Sequence, residues 1–242
     1  MKHNEPFVSI LLPICNTQRS LANCLKSLLG QSYKNIEIVA VDDNSKDKSF
    51  KILRDLKKKD RRLRISTNKK HYGLAVCLNR ALKKAKGSFV CLMDQNDLAT
   101  PDRIKRQVRY LLSHPKVVAV GTQLDKVRVP ISHDEIVQSL LSGASFQFET
   151  ALINKMLLPK DLLYFHENTY PFLFSEVFVK LVQYGQFANL PWILQHRPRP
   201  TKSQAQIIQN LPSFLKHLAK SIALYDYRPS LSSLFTPLLG EA

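Results

Sequence analysis

Short apolar runs rich in β-branched residues alternate along this chain with longer segments whose apolar positions recur every three or four residues. Phe7–Leu12, Ile36–Val41, Leu63–Ser66, Ser88–Met93 and Val117–Val120 are the short runs. Runs of that length, bounded by turn formers, read as buried parallel strands. Pro13 is expected to close the first. Between the runs lie helix-period stretches. Ser20–Leu29 carries Leu21, Cys24, Leu25, Leu28 and Leu29 on one face. Asp47 is placed to cap a helix with Phe50, Leu53 and Leu56 inward. Gly73 precedes a helix over Leu74–Lys84, and Gly87 is expected to end it. Pro101 opens a helix reaching about Ser113. The order β-α-β-α-β-α-β-α-β predicts an α/β fold, a mostly parallel sheet flanked by helices.

Beyond Gly121 the rhythm loosens. Ile131–Leu141 reads as helical, Phe146–Ile153 as extended, and Phe172–Tyr184 as an apolar helix. Phe187–Leu190 and Trp192–Gln195 read as two short strands. After Arg197-Pro198-Arg199-Pro200, the positions Ile207, Ile208, Leu211, Phe214, Leu215, Leu218 and Ile222 form a helical stripe that Pro212 is expected to interrupt. Residues 1–200 are therefore read as one domain, with halves at about 7–122 and about 123–200, and 201–242 as a helical C-terminal extension.

The chemistry concentrates at two strand ends. Asp42-Asp43-Asn44-Ser45 follows the second strand, and Asp94-Gln95-Asn96-Asp97 follows the fourth. Open α/β sheets bind ligands at the carboxyl ends of their strands, so two acidic clusters there point to one polar site. No glycine-rich dinucleotide or P-loop motif follows a strand, so phosphate would need side chains and a metal.

Composition changes this picture in one respect. Of 242 residues, 44% are hydrophobic and 23% charged, an ordinary globular balance, but the net charge is +17. That excess points to an anionic partner. The densest basic run, Lys57–Arg64, has no aromatic platform beside it, which disfavours nucleic acid. Cys15, Cys24, Cys77 and Cys91 show no zinc spacing and read as reduced thiols of a cytoplasmic protein. The N-terminus lacks a signal-peptide pattern, and no run is long enough to span a membrane.

Val8–Asn16, Leu25–Tyr33, Val41–Ser45, Gly73-Leu74-Ala75 with Leu78-Asn79, Ala85-Lys86-Gly87, Met93–Asp97 with Pro101, then Arg103, Gln107, His114-Pro115 and Gly121-Thr122 form a linked series. In this order and spacing they resemble the family-2 inverting glycosyltransferases of the GT-A fold, over residues 7 to about 122. The resemblance implies a nucleotide sugar, a UDP-sugar, as donor. It implies a glycan or lipid-linked acceptor and a Mg²⁺ or Mn²⁺ ion. Pro13 and Asn16 would border the nucleotide. Asp43 would accept the base N–H, which suits an acceptor-only carboxylate. Asp94 would face the ribose, and Asn96, with Asp97 beside it, would meet the metal.

Two departures stand out. Asn96 replaces the carboxylate that a hard cation prefers, so the metal site is weakened. The positions that the resemblance assigns to a Glu-Asp base pair fall on Leu173 and Phe174, neither able to take a proton. Glu176 and Glu149 are the candidate replacements, with Glu167 and His166 behind them. A second reading follows from the same residues: a weak or inactive relative acting as a binding or scaffold protein. The tail, with Lys202, Lys216, Lys220 and Arg228, is read either as a helix packed against the domain or as a peripheral contact with the anionic inner face of a membrane.

Overall fold

Strand β1 (Val8–Ile14) alternates between two cores. Val8, Ile10, Leu12 and Ile14 point to one face of the sheet and Leu11 to the other. A sheet buried on both faces needs apolar residues on both, which is why the parallel strands read as continuous apolar runs. This is a computed structural model, and it describes residues 5–125, 128–141, 145–167, 172–197, 211–225 and 227–230.

The remaining elements follow in chain order: α1 (Leu21–Leu29), β2 (Ile36–Asp42), α2 (Ser49–Lys59), β3 (Leu63–Thr67), α3 (Leu74–Lys84) and β4 (Phe89–Leu92). Then come β5 (Leu98–Ala99), α4 (Arg103–Ser113), β6 (Val117–Leu124), α5 (His133–Gln138), β7 (Leu152–Asn154), α6 (Leu173–Leu181), β8 (Gln186–His196) and α7 (Leu211–Tyr225). The sheet order is β3-β2-β1-β4-β7-β6-β8-β5. The strands β3, β2, β1 and β4 are mutually parallel, as the alternating pattern requires. One core packs α1, α2 and α4 against Ile10, Ile38 and Phe89; the other packs α3, α6 and α7 against Leu11, Val39 and Val90. Fully burying one such side chain contributes roughly 1.5–3 kcal/mol.

Several expectations are corrected. Pro13 does not close β1; it lies inside the strand, in register with Val41. The expected mostly parallel sheet holds, with two reversed strands: β7 inserts antiparallel between β4 and β6, and β5 pairs antiparallel with β8. The stretch Phe146–Ile153 is not one strand but a 3-10 turn, Phe148–Thr150, leading into β7. The two short strands expected after Gly185 are one, β8. Its pairing with β6 jumps from Thr122–Leu190 to Gln123–Ile193, leaving Pro191 and Trp192 in an irregularity that tolerates a proline. Gly87 does not terminate α3, whose cap is Ala85. A Cβ at Gly87 would lie 2.6 Å from Ser9 N and 2.7 Å from both Phe7 O and Phe89 O, so glycine is required by close approach of the backbones.

Pro212 does not interrupt the tail helix but sits in its first turn, where its missing N–H has no partner to lose. Ile207 and Ile208 lie outside the described residues. Helix α7 packs on α6, and Phe214 and Tyr227 are buried in the core shared with Phe172 and Val177. Among the described residues, no helix is long and apolar enough to cross a membrane.

Candidate active site

Strands β2 and β4 flank β1, so the loops leaving their carboxyl ends share one rim of the sheet. The first loop carries Asp43, which is 2% exposed. Its Oδ1 accepts from Asn68 Nδ2 at 2.6 Å and from the Tyr72 N–H at 3.0 Å. Its Oδ2 accepts from the Gly73 N–H at 2.7 Å and lies 2.8 Å from His71 Nδ1. Burial alone would raise this carboxyl; the converging donors outweigh it and hold the group below the ordinary carboxylate range. Gly73 adopts a φ of 91°, a conformation that turns its N–H onto Asp43 and that side chains rarely accept. Asp43 thus orders the segment 68–73. A base N–H would join donors already present, of which the exposed His71 is the one freest to yield.

The second loop carries Asp94, Gln95, Asn96 and Asp97. Asp94 Oδ1 accepts the Asn96 N–H at 2.7 Å. Burial raises the Asp94 carboxyl against that hydrogen bond, and the neighbouring Asp97 adds to the rise. Gln95 Oε1 accepts the Cys15 N–H at 2.7 Å, joining this loop to the end of β1. Asn96 Oδ1, the atom expected to meet a metal, accepts from Thr17 Oγ1 at 2.9 Å and Ser20 Oγ at 2.7 Å. Asp97 turns away from that role as well. Its side chain is fully buried, takes Gln195 Nε2 at 2.6 Å, and pairs with Arg197 at 3.0 Å.

Pro13 is half-buried in β1 and Asn16 is exposed just beyond it. Asn16 takes a φ of 47°, which asparagine tolerates, and its Oδ1 accepts the Lys46 N–H at 2.8 Å.

The two candidate bases part company. Glu149, on the turn before β7, is a quarter exposed, with Oε2 3.6 Å from Arg197 Nη2. Burial pushes its carboxyl up, Arg197 pulls it down, and the negative charges of Asp94 and Asp97 add to the rise. The acid is therefore within electrostatic reach of Asp94. Glu176 sits instead where α6 meets α7, 3% exposed, with Oε1 2.9 Å from Lys180 Nζ and 3.2 Å from Lys220 Nζ. Despite burial, these lysines hold it below the ordinary carboxylate range. A carboxylate bound to two lysines is a poor proton acceptor, and the charges around it are those of the helix junction. Phe174 stacks on Phe148 with ring centroids 5.8 Å apart and packs against the hydrophobic core.

Sequence reasoning missed Arg197, because its importance depends on a partner 100 residues away. It also missed the work of Arg103 and Gln107, successive turns of α4. Arg103 Nη2 donates to Leu92 O at 2.9 Å and Glu149 O at 3.3 Å. Gln107 Nε2 donates to Val120 O and Thr150 O, each at 2.8 Å. Together they join the end of β4 and β6 to the turn that carries Glu149. Their presence among the sequence motifs was the available signal.

A divalent ion was expected here. Among the described residues, no three His, Cys, Asp or Glu side chains converge as a metal cage. The donor set fits only an ion arriving with a diphosphate: Asp94 can supply one carboxylate, and phosphate oxygens and water the rest, an arrangement usual for Mg²⁺.

Comparison with known proteins is consistent with this geometry. Residues 9–142 match the family profile described as Glycosyl transferase family 2. An uncharacterized glycosyltransferase of Haemophilus influenzae is 29% identical over 159 residues, 63% of this chain and 64% of that protein, so the matched part falls short of the relative's length. Staphylococcus aureus TarS 1-349, solved with UDP-GlcNAc, superposes with a TM-score of 0.74 at 20% identity, over 91% of this chain and 67% of that one. The mannosyltransferase PcManGT from Pyrobaculum calidifontis, solved with GDP-Man and Mn²⁺, superposes with a TM-score of 0.71 at 22% identity, over 91% and 65%. At these identities the structural likeness speaks for the fold, which is GT-A.

Proposed function

The chain belongs to glycosyl transferase family 2, and we propose on that premise that it moves a sugar from a UDP-sugar to a glycan or lipid-linked acceptor, with inversion, using Glu149 as general base. The observation that carries the reading is the convergence of Glu149, Arg197, Asp97 and Asp94 at the carboxyl rim of the sheet. The base would lie toward Asp43, between Pro13, Asn16 and the 68–73 segment, and the diphosphate toward Asp94. The solved relatives bind UDP-GlcNAc and GDP-Man, which supports a nucleotide-sugar donor without fixing its base.

In the transfer step the acceptor oxygen attacks the anomeric carbon from the face opposite the diphosphate. The new C–O bond forms as the old one breaks, and the diphosphate leaves with the bonding pair. Glu149 takes the acceptor proton. Its raised pKa brings it nearer to the pH at which a general base works well, and a positioned base contributes about 10²- to 10⁴-fold. Arg197 keeps Asp97 paired and opposes the rise of the Glu149 carboxyl that burial causes. Arg103 holds the Glu149 main chain against the end of β4, fixing the base relative to Asp94. A divalent ion bound by Asp94 and the diphosphate would neutralise the charge of the leaving group.

Calorimetric titration with UDP, alone and with Mn²⁺, tests the donor site. Absence of binding, or binding indifferent to Asp43→Ala, rejects it. The non-catalytic reading rests on Asn96 Oδ1, held by Thr17 and Ser20, and on Phe174, packed on Phe148 where a base was expected. Sugar-nucleotide turnover abolished by Glu149→Gln would dismiss that reading.

The proposed membrane contact uses the outer face of α7, where Leu215 and Ile222 are 53% and 50% exposed and Lys216 is exposed as well. Co-sedimentation with anionic vesicles, unchanged by Leu215→Ser with Ile222→Ser, would remove that part of the proposal.

A further inference from the structure

The loop between β1 and α1 is held by side chains rather than by sheet pairing. The Asn16 N–H donates to Ser45 Oγ at 3.0 Å, the Thr17 N–H to Ser49 Oγ at 2.9 Å, and the Gln18 N–H to Asp47 Oδ2 at 2.9 Å. In return, Asn16 Oδ1 and Gln18 Oε1 accept the Lys46 and Lys48 N–H groups at 2.8 and 3.0 Å. Thr17 and Ser20 donate to Asn96 Oδ1 on a third segment. Three chain segments are thereby locked together, and between them lies a cavity of about 490 Å³. That is within the size range of small-molecule sites, about 300–1,000 Å³. Neither Asp43, Asp94 nor Glu149 lines it, so it is not the transfer site.

The chemistry of its lining is specific. Hydroxyls and amides of Thr17, Ser20, Asn23 and Asn96 alternate there with apolar surface, to which Leu98 contributes. Arg19 and Asn23, at the entrance of α1, are exposed and take part in none of the bonds that hold the loop. Asp47 lines the same cavity and stays ionised: burial would raise its carboxyl, but the Ser49 and Gln18 donors keep it low. An anion would be opposed by Asp47, a cation by Arg19, and a wholly apolar ligand would make no use of the exposed Asn23 amide or Arg19 guanidinium. A neutral polyol satisfies both, because each hydroxyl donates and accepts.

We propose that this cavity is a binding subsite for a neutral sugar ring, separate from the donor site and joined to its rim through Asn16 and Asn96. Rigid walls suit such a ligand, since its hydroxyls gain only where partners are already placed. The subsite goes beyond the transfer reading and does not depend on turnover.

The test uses the full chain, labelled for amide NMR, and a panel of neutral glucose, galactose, mannose and N-acetylglucosamine saccharides of one to four units. At least one series should shift the Asn23 and Asn96 side-chain amides. Arg19→Ala with Asn23→Ala should weaken that binding about tenfold or more, the loss of one or two hydrogen bonds, one to a charged group. The double variant should keep its melting temperature and UDP affinity, because both residues are exposed. Three outcomes overturn the proposal: no series shifts these amides, the shift survives the double variant, or inorganic phosphate binds there in preference. If wild type fails to bind UDP yet the saccharide shift remains, the donor reading fails and the subsite stands.

Discussion

Arg197 and Asp97 form a two-pronged ion pair across 100 residues of chain, Nε to Oδ1 at 3.1 Å and Nη2 to Oδ2 at 3.0 Å. Both side chains are nearly or fully buried, 9% and 0% exposed. The fork geometry matches the carboxylate, and the same guanidinium lies 3.6 Å from Glu149. The pair therefore takes Asp97 out of the pool of metal ligands and puts a fixed positive charge beside the proposed base.

Glu149→Gln should lower kcat by about 10²- to 10⁴-fold while leaving UDP affinity unchanged, because the amide keeps the shape but cannot take a proton. The base must be ionised to act, and its pKa is raised. The acid limb of the kcat profile should therefore lie above the ordinary Glu value of about 4.3. A pH profile from single-turnover transfer checks both, and a limb at or below that value would exclude Glu149 as base.

Glu176→Gln should leave turnover per folded molecule intact but destabilise the protein. It strips the shared partner from Lys180, 12% exposed, and Lys220, 42% exposed. Breaking a fully buried pair costs about 3–5 kcal/mol; with Lys220 half in water, on the order of 2–3 kcal/mol is expected. Urea unfolding measures this, and an unchanged midpoint would mean that α7 does not depend on the junction.

Asp43 has a depressed pKa in the folded state, so its contribution to stability is present above the unfolded value, about 3.9, and is lost as pH falls through the lower folded value. Asp43→Asn should flatten that acid-side dependence and weaken UDP binding. Melting temperatures across the acid range provide the comparison; identical slopes in both proteins would show that the Asp43 hydrogen bonds are not stabilising.

Asn96→Asp keeps an oxygen for the Thr17 and Ser20 hydroxyls and adds a charge. Mn²⁺ should bind more tightly in the presence of UDP, read by paramagnetic relaxation of water independently of turnover. Equal relaxation in both proteins would argue that Asn96 faces away from any ion.

Gly87→Ala should destabilise the chain by about 1–3 kcal/mol, since the new methyl would press on backbone atoms of β1 and β4 that cannot rotate away. Calorimetry decides this, and a neutral effect would mean that the strands can separate locally.

Much of the first half was legible because its signals are local. Apolar runs at β1, β2 and β4, helix periods at α1, α3 and α4, and acidic clusters at two strand ends depend on neighbours within a few residues. They suffice to place Asp43 and Asp94 on one rim, and their linked motifs pointed to the family that the profile match establishes. The rest was decided by contacts between distant parts of the chain. The antiparallel entry of β7, the pairing of Asp97 with Arg197, and the approach of Lys220 to Glu176 carry no periodicity of their own. Glu149 and Glu176 are the same residue type, each followed or preceded by apolar positions, and the sequence offered both as bases. The fold separates them: one carboxylate is raised by burial beside other acids, the other is lowered by Lys180 one turn along α6 and by Lys220, which only the packing of α7 brings in. A side chain's identity fixes what it can do, but its pKa is set by the charges that tertiary structure brings within a few ångströms of it.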